Sequence, residues 1–356
     1  ARPEATMRTL RADGLKSLVA LAFERMGARR EDAGQVATAL VKANLCDYAS
    51  HGVFRVAQYH EWWKKGLLHP AAQPTLEDER GFAARIDGHQ AFGQVVAGFA
   101  TRLALRKTQT AGIAVVTARN SNHVGRLADY AETLKDAGLI GLVAVNDAGS
   151  GQSVVPWGGM EGRLSTNPIA VGIPAASGPG ILFDFSTSAA ASGKVRQLLL
   201  HGEHAPDGWL IDSSGSPTRD PARLFDDPPG FLLPAGGHRG YALSLMVEAL
   251  SGILSGAGFA NPNPGPEELN GMFVLALNPA WFLPAAQFGA EVDQLTDHMK
   301  SCRPMPGADP VHIPGERSRA QAARREREGI SLDEKTCAML VEVLKDLGLP
   351  EELPCR

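Results

Sequence analysis

The run from Gly112 to Val145 constrains this chain most. Gly112-Ile113-Ala114-Val115-Val116-Thr117-Ala118 is short, apolar and β-branched, the composition of a strand covered on both faces. An amphipathic stretch over 127–137 follows, then a second apolar run, Leu139-Ile140-Gly141-Leu142-Val143-Ala144-Val145. Strand, helix and strand in that order make a βαβ-like unit, so the class predicted is α/β.

Helical patterns flank this unit. Leu15, Leu18, Val19, Ala22, Phe23 and Met26 recur at helical spacing, and Gly27 is a stop. Glu31 and Asp32 open a second helix near its positive end, with Ala33, Val36, Ala37, Leu40 and Val41 on its apolar face. The pattern breaks over 47–52, resumes through Val56, Tyr59 and Trp63, and closes at Gly66 and Pro70. Downstream, 169–171, 181–185 and 272–277 read as strands, and 238–254, 286–301 and 332–346 as helices. Residues 201–235 read as a loop with a turn at Asp212-Ser213-Ser214-Gly215, and the proline-dense 258–270 as irregular. The segment 316–328 mixes both charge signs and reads as a solvated helix. Together these predict a mainly helical domain from both chain ends, 1–110 plus 317–356, around an α/β domain, 111–316.

Composition narrows the partners. With 356 residues, 44% hydrophobic and 21% charged, the chain is long enough for a large core and is not of a disordered type. A net charge of −4 argues against a nucleic-acid partner. No apolar run approaches the ~18 residues that span a bilayer, and the N-terminus shows no signal-peptide pattern. Cys46, Cys302, Cys337 and Cys355 form no C-x-x-C pair and no zinc framework, so no metal is expected. Scattered thiols fit a reducing compartment, and the cytoplasm is the expected location.

Familiar nucleotide motifs are missing. Gly149-Ser150-Gly151 and Gly178-Pro179-Gly180 lack the third glycine of G-x-G-x-x-G, and neither a P-loop nor a G-x-S-x-G elbow occurs. Five blocks carry chemistry instead. In Asp47-Tyr48-Ala49-Ser50-His51-Gly52-Val53-Phe54-Arg55, histidine suits proton transfer to a carbonyl oxygen, at its ordinary pKa near 6.5. Arginine four residues on suits a carboxylate. Spacing alone favours a helix junction with Ser50 as N-cap, His51 exposed and Arg55 a surface cation. Asn120-Ser121-Asn122-His123-Val124-Gly125-Arg126 follows a strand, where α/β sites often lie, although Asn122 would also serve as a helix cap. Leu164-Ser165-Thr166-Asn167-Pro168 and Asp184-Phe185-Ser186-Thr187-Ser188 offer oxygen and amide groups, or plain turns. Gly236-Gly237-His238-Arg239-Gly240-Tyr241 combines a helix N-terminus with a cation, an anion site or an ordinary glycine-rich start. Pro314-Gly315-Glu316 alone is a surface turn.

In this order the blocks, with Gly193-Lys194, resemble the malate/L-lactate dehydrogenase family of the non-Rossmann type. Ureidoglycolate dehydrogenase, 2,3-diketogulonate reductase, sulfolactate dehydrogenase and Δ1-piperideine-2-carboxylate reductase belong to it. The resemblance runs from residue 50 to 316. It implies a non-Rossmann nicotinamide-nucleotide-binding fold, a homodimer, and hydride transfer between NAD or NADP and a small 2-oxo or 2-hydroxy acid. Reduction of a cyclic imine 2-carboxylate is the alternative. It implies His51 as proton donor with Ser50 beside it, Arg55 as carboxylate anchor and His123 as second histidine. Cofactor contacts would fall on Asp147, Thr166, Asn167, Asp184, Phe185, Ser186, His238, Arg239, Gly240, Pro314, Gly315 and Glu316. Many relatives carry Lys-Gly where this chain has Arg239-Gly240. A hydrolase using Ser50 and His51 is disfavoured, because sequence neighbours rarely point at each other.

Overall fold

The computed structural model describes residues 7–149, 151–261 and 269–355. Strand β1 (Met7–Leu10) leads into helices α1 (Ala12–Arg25), α2 (Arg30–Leu45) and α3 (Arg55–Lys64). Next come β2 (Thr75–Arg80), β3 (Ala83–Asp87), α4 (Gly93–Ala111), β4 (Ile113–Ser121), α5 (Ala128–Asp136) and β5 (Ile140–Asp147). The middle continues with β6 (Ile169–Ile173), β7 (Ile181–Phe185), α6 (Ser192–His201) and the two-residue strands β8 (Leu210–Ile211), β9 (Pro217–Thr218) and β10 (Phe231–Leu232). The chain closes with α7 (His238–Val247), β11 (Asn270–Leu277), α8 (Ala285–Lys300), α9 (Glu316–Glu328), β12 (Ile330–Asp333) and α10 (Glu334–Asp346).

A mixed seven-stranded sheet organises the molecule, in the order β2-β3-β4-β11-β5-β6-β7. Only β3 and β4 pair in parallel; the other five pairs are antiparallel. The strand-helix-strand unit seen in the sequence is β4-α5-β5, but β11 lies between its two strands and runs against both. Met272, Val274 and Ala276 of β11 join Val116, Val143 and Leu134 in the main core. A local pattern cannot announce a strand that arrives over a hundred residues later.

A second core joins the two chain ends. Leu15, Phe23, Leu40 and Tyr59 pack with Ile330 and Leu340, and β1 pairs antiparallel with β12. Helix α4 belongs to both cores, with Val95 in the second and Val96 in the first. Its apolar residues therefore do not form one stripe, and no helical reading covers it in the sequence analysis. The boundary expected at residue 110 is also displaced: β2 and β3 precede it yet extend the main sheet, because β3 pairs with β4.

Three further segments differ from expectation. Residues 201–235 are not plain loop. They hold β8, β9 and β10, joined as a small sheet, and Asp212 caps the turn by accepting from the Ser214 and Ser216 amides. The helix expected over 238–254 ends at Val247 and continues as a π-helical turn, Glu248–Ile253. The prolines of 262–268 lie outside the described residues.

Candidate active site

The turn carrying His51 is forced by contacts on both sides. Asn44 Oδ1 at the end of α2 accepts from the Val53 amide at 2.8 Å. A Cβ on Gly52 would lie 2.2 Å from that oxygen, so only glycine fits. Between them Ala49–His51 form one 3-10 turn, and α3 starts at Arg55. His123 is set by β4 and α4. Asn122 is buried and donates to the Gln90 carbonyl at 2.7 Å and the Leu67 carbonyl at 3.2 Å. It caps no helix, since α5 begins only at Ala128. Gly93 packs on this backbone, where a Cβ would meet the Asn122 oxygen at 2.2 Å.

His51 Nδ1 and His123 Nε2 are 3.0 Å apart, with the rings within 3° of parallel. His123 Nδ1 lies 2.7 Å from Tyr59 Oη, which accepts from Gln94 Nε2 at 2.8 Å. Both imidazoles sit deep in the protein while keeping an edge on a cavity. Burial pushes His51 down to about 3, and the cations Arg55 and Arg126 push the same way. Burial, Arg55 and His51 likewise hold His123 well below the usual range. Tyr59 is pushed up to about 12 by burial, against the Gln94 hydrogen bond and Arg55. The expected imidazolium with an ordinary pKa is thus corrected: His51 is neutral at neutral pH.

Arg55 Nε donates to the Ser50 carbonyl at 2.7 Å, Nη1 bonds Gln58 Oε1, and the guanidinium lies 5.6 Å from the Phe54 ring. It is not a free surface cation. Ser50, His51, Arg55, His123, Asp147 and Thr166 line one cavity of about 450 Å³. Arg196, Phe225 and Asn270, which no motif marked, line it too. Arg196 lies flat over Phe225, 5.1 Å from the ring centre. Tyr59 and Gln94 also escaped the sequence reading. A signal existed for Tyr59, because it follows Arg55 by four residues and so shares its helix face.

The remaining predicted residues divide. Asp184, Phe185, Pro314 and Gly315 line a second cavity of about 260 Å³ with Arg126 and Tyr48. Asp184 accepts from the Ala128 amide at 2.9 Å, and burial lifts its carboxyl to about 6 against those amide bonds and Arg126. Arg126 is buried, pairs with Asp129 at 2.7 Å and lies over the Tyr48 ring. Glu316 holds Lys300 and the Ile313 amide, and faces a third cavity of about 830 Å³. That cavity shares Ser50 with the first and Tyr48 with the second. Asn167 faces none of these. It is fully buried and braces Ser244 and Glu248. Ser186 turns to the Ser188 carbonyl. His238 and Arg239 are exposed at the start of α7, away from the three cavities. Gly240 bonds Ala235 and Ala235 bonds Thr187, so the start of α7 abuts the 186–188 loop.

Known proteins share this architecture. The profile of the malate/L-lactate dehydrogenase family matches residues 10–341. This chain belongs to that family. It is 34% identical over 345 residues to hydroxycarboxylate dehydrogenase B of Escherichia coli, covering 96% of this chain and 95% of that one. The malate/(S)-sulfolactate dehydrogenase of Methanothermus fervidus is 34% identical over 339 residues, 94% of this chain and 96% of the other. The crystal structure of Δ1-piperideine-2-carboxylate reductase from Pseudomonas syringae superposes with a TM-score of 0.81 at 31% identity, covering 94% and 99%. The chain is therefore an oxidoreductase of a family that acts on hydroxy acids. No helix among its described residues is long and apolar enough to cross a membrane.

Proposed function

We propose that this chain transfers hydride between NAD or NADP and a small 2-oxo or 2-hydroxy acid. One observation carries the reading: a neutral histidine and a fixed guanidinium share one cavity, which holds a proton-transfer group beside a carboxylate anchor. The residues present fit a nicotinamide cofactor. Three neighbouring cavities share the lining residues Ser50 and Tyr48, and the buried Arg126 keeps an Nε without a partner, a donor suited to an anionic or ribose oxygen. With no glycine fingerprint and one parallel strand pair, such a cofactor would be held by loops in a non-Rossmann manner. Asp147 and Thr166 would take the reactive end, Asp184, Phe185, Pro314 and Gly315 a more distant part, and Glu316 the cavity between. His238, Arg239 and Gly240 would add a helix N-terminus. A homodimer in the cytoplasm, with the chain-end helices on its substrate side, completes the proposal and rests on the family.

The bound nicotinamide would supply or accept the hydride. Arg55 would hold the substrate carboxylate in its planar fork and so aim the reacting carbon. The anion also offsets the cation that depresses His51, so substrate binding strengthens this imidazole's hold on a proton. Because His51 Nδ1 is engaged by His123, Nε2 is the nitrogen available to the substrate oxygen. That geometry also leaves Nδ1 unavailable to Ser50, against a hydrolase. A cyclic imine 2-carboxylate needs the same two groups, with the proton delivered to nitrogen; the similarity to the Pseudomonas reductase favours keeping this second reading. Loss of NADH or NADPH absorbance against a panel of 2-oxo acids and cyclic imines tests both. Turnover of 2-oxo acids is expected, and inertness toward the whole panel with either cofactor overturns the proposal.

A further inference from the structure

Behind His51 a chain of hydrogen bonds runs into the protein, from His123 to Tyr59 to Gln94. Two imidazoles joined in this way are ambiguous, since either ring can donate. Gln94 removes the ambiguity. Its Nε2 meets Tyr59 Oη, and its Oε1 is buried with no partner. As placed, the carbonyl and one N–H lack partners; turned round, both N–H groups would lack an acceptor, and a buried bare N–H is costlier than a bare carbonyl. Tyr59 therefore accepts from Gln94, and its own hydrogen goes to His123 Nδ1 at 2.7 Å in preference to the His123 carbonyl at 3.4 Å. His123 carries its hydrogen on Nε2 and gives it to His51 Nδ1. His51 then carries its hydrogen on Nε2, the nitrogen left for the cavity.

We propose that Tyr59 and Gln94 are positioning residues that, through His123, fix His51 as the Nε2–H tautomer and resupply the proton it delivers. The proposal rests on the oxidoreductase reading above. As the carbonyl carbon accepts hydride, the carbonyl oxygen takes the proton from His51 Nε2. The His123 Nε2–H bond breaks as His51 Nδ1–H forms, and the Tyr59 O–H bond breaks as His123 Nδ1–H forms. The negative charge that began on the substrate oxygen ends on Tyr59 Oη, facing the Gln94 N–H, until solvent returns a proton. Neither imidazole becomes charged at any stage. The surroundings demand this economy. His51 is faced by Arg55, Arg126 and His123, His123 by Arg55, His51 and Tyr59, and Tyr59 by Gln94, Arg55 and Tyr130. The acidic side chain lining the cavity is Asp147.

Two measurements test it. Nitrogen NMR of the ligand-free protein with labelled histidine reads the tautomers directly. Both His51 and His123 are expected as single Nε2–H tautomers at neutral pH, and Tyr59→Phe should mix the two forms of His123. Single-turnover reduction of a 2-oxo acid then reads the proton supply. In the parent the rate should be flat from about pH 6 to 9, because the donor chain is neutral throughout. In Tyr59→Phe only an imidazolium can serve. Its rate should be about 100-fold lower at neutral pH and rise nearly tenfold per unit as pH falls, with cofactor dissociation unchanged. Gln94→Leu, a second variant should Tyr59→Phe fail to fold, should lose rate in the same direction and by less. A parent rate that falls tenfold per unit with rising pH would mean a lone imidazolium donor and overturn the proposal. So would a Tyr59→Phe enzyme that is slower by the same factor at every pH and keeps single tautomers. If the parent reduces no 2-oxo acid, the oxidoreductase reading fails, whereas the tautomer measurement still stands.

Discussion

The cavity at His51 and the cavity at Asp184 both bury an ionisable group, and they treat it differently. At His51 burial acts first, and Arg55 and Arg126 push the same way, so nothing present offsets the loss of water. At Asp184 burial is opposed from within the chain by the Ala128 amide and by Arg126. At Asp184 the offset is partial, since Asp129 adds to burial and the carboxyl still ends near 6. A buried group whose charged neighbours reinforce the cost of burial, as at His51, is a candidate for ligand contact. The two sites also tilt stability in opposite directions. His51 binds its proton more weakly folded than unfolded, so its contribution falls as pH drops from the ordinary histidine value toward about 3. Asp184 binds its proton more tightly folded, so its contribution is full below the ordinary carboxylate value and lost as pH rises through about 6.

The harshest break of this comparison is His51→Ala. It should lower kcat by about 10²–10⁴, the range for a general acid, while cofactor dissociation stays within a few-fold of the parent. His123 is the competitor for the role. If His123→Ala abolished turnover while His51→Ala remained active, the assignment would reverse.

Next in size is Arg55, the proposed carboxylate anchor. Arg55→Lys keeps the charge but loses the fork, and Arg55→Met loses both. Two charge-assisted bonds of about 1.5–3 kcal/mol each predict at least a tenfold loss in kcat/KM for the best 2-oxo acid. Cofactor affinity should hold. Parent-like kcat/KM in both variants would remove Arg55 from the substrate site.

Much of this was legible in the sequence, for a physical reason. The proposed proton donor His51 and carboxylate anchor Arg55 sit four residues apart on one turn-and-helix segment, and a short glycine-pinned turn leaves little freedom in where they point. The strands β4 and β5 and helices α1 and α2 were legible because each has one period and one apolar pattern. What escaped depends on distance or on doubled burial. The strand over 272–277 was legible but not its place, because β11 enters the sheet from over a hundred residues away; α4 was missed because it has core on two sides. Arg196 and Phe225 reach the cavity from α6 and from the 3-10 turn Pro221–Phe225, with no motif between them. Asn167 looked like a ligand contact because a Thr-Asn-Pro turn is rich in polar atoms. Its amide is spent on Ser244 and Glu248 instead, which no local pattern records.

Asp184→Asn sharpens the second half of the comparison. The amide still accepts from the Ala128 N–H but no longer titrates. The parent should lose stability relative to the variant as pH rises from about 4 to 7, by about 1–2 kcal/mol once the edge facing the cavity is discounted. Thermal midpoints of both proteins across that range check the sign. Parallel curves would mean that Asp184 titrates as an ordinary carboxylate.

The smallest effect is expected at Arg239, which lies in neither cavity. It is exposed at the start of α7, where Gly237 takes a positive φ of 65°, no side chain caps the helix, and the Gly240 amide already bonds the Ala235 carbonyl. A phosphate drawn there would gain from the helix dipole and from the guanidinium, but both act through water and are screened by salt. Arg239→Glu should therefore raise KM for the cofactor several-fold at low ionic strength, with kcat unchanged at saturation. Adding salt to about 0.5 M should erase most of the difference, since the screening length then falls below about 5 Å. An equal KM at low salt would separate α7 from the cofactor and confine the nucleotide to the belt between Thr166, Ser50 and Asp184.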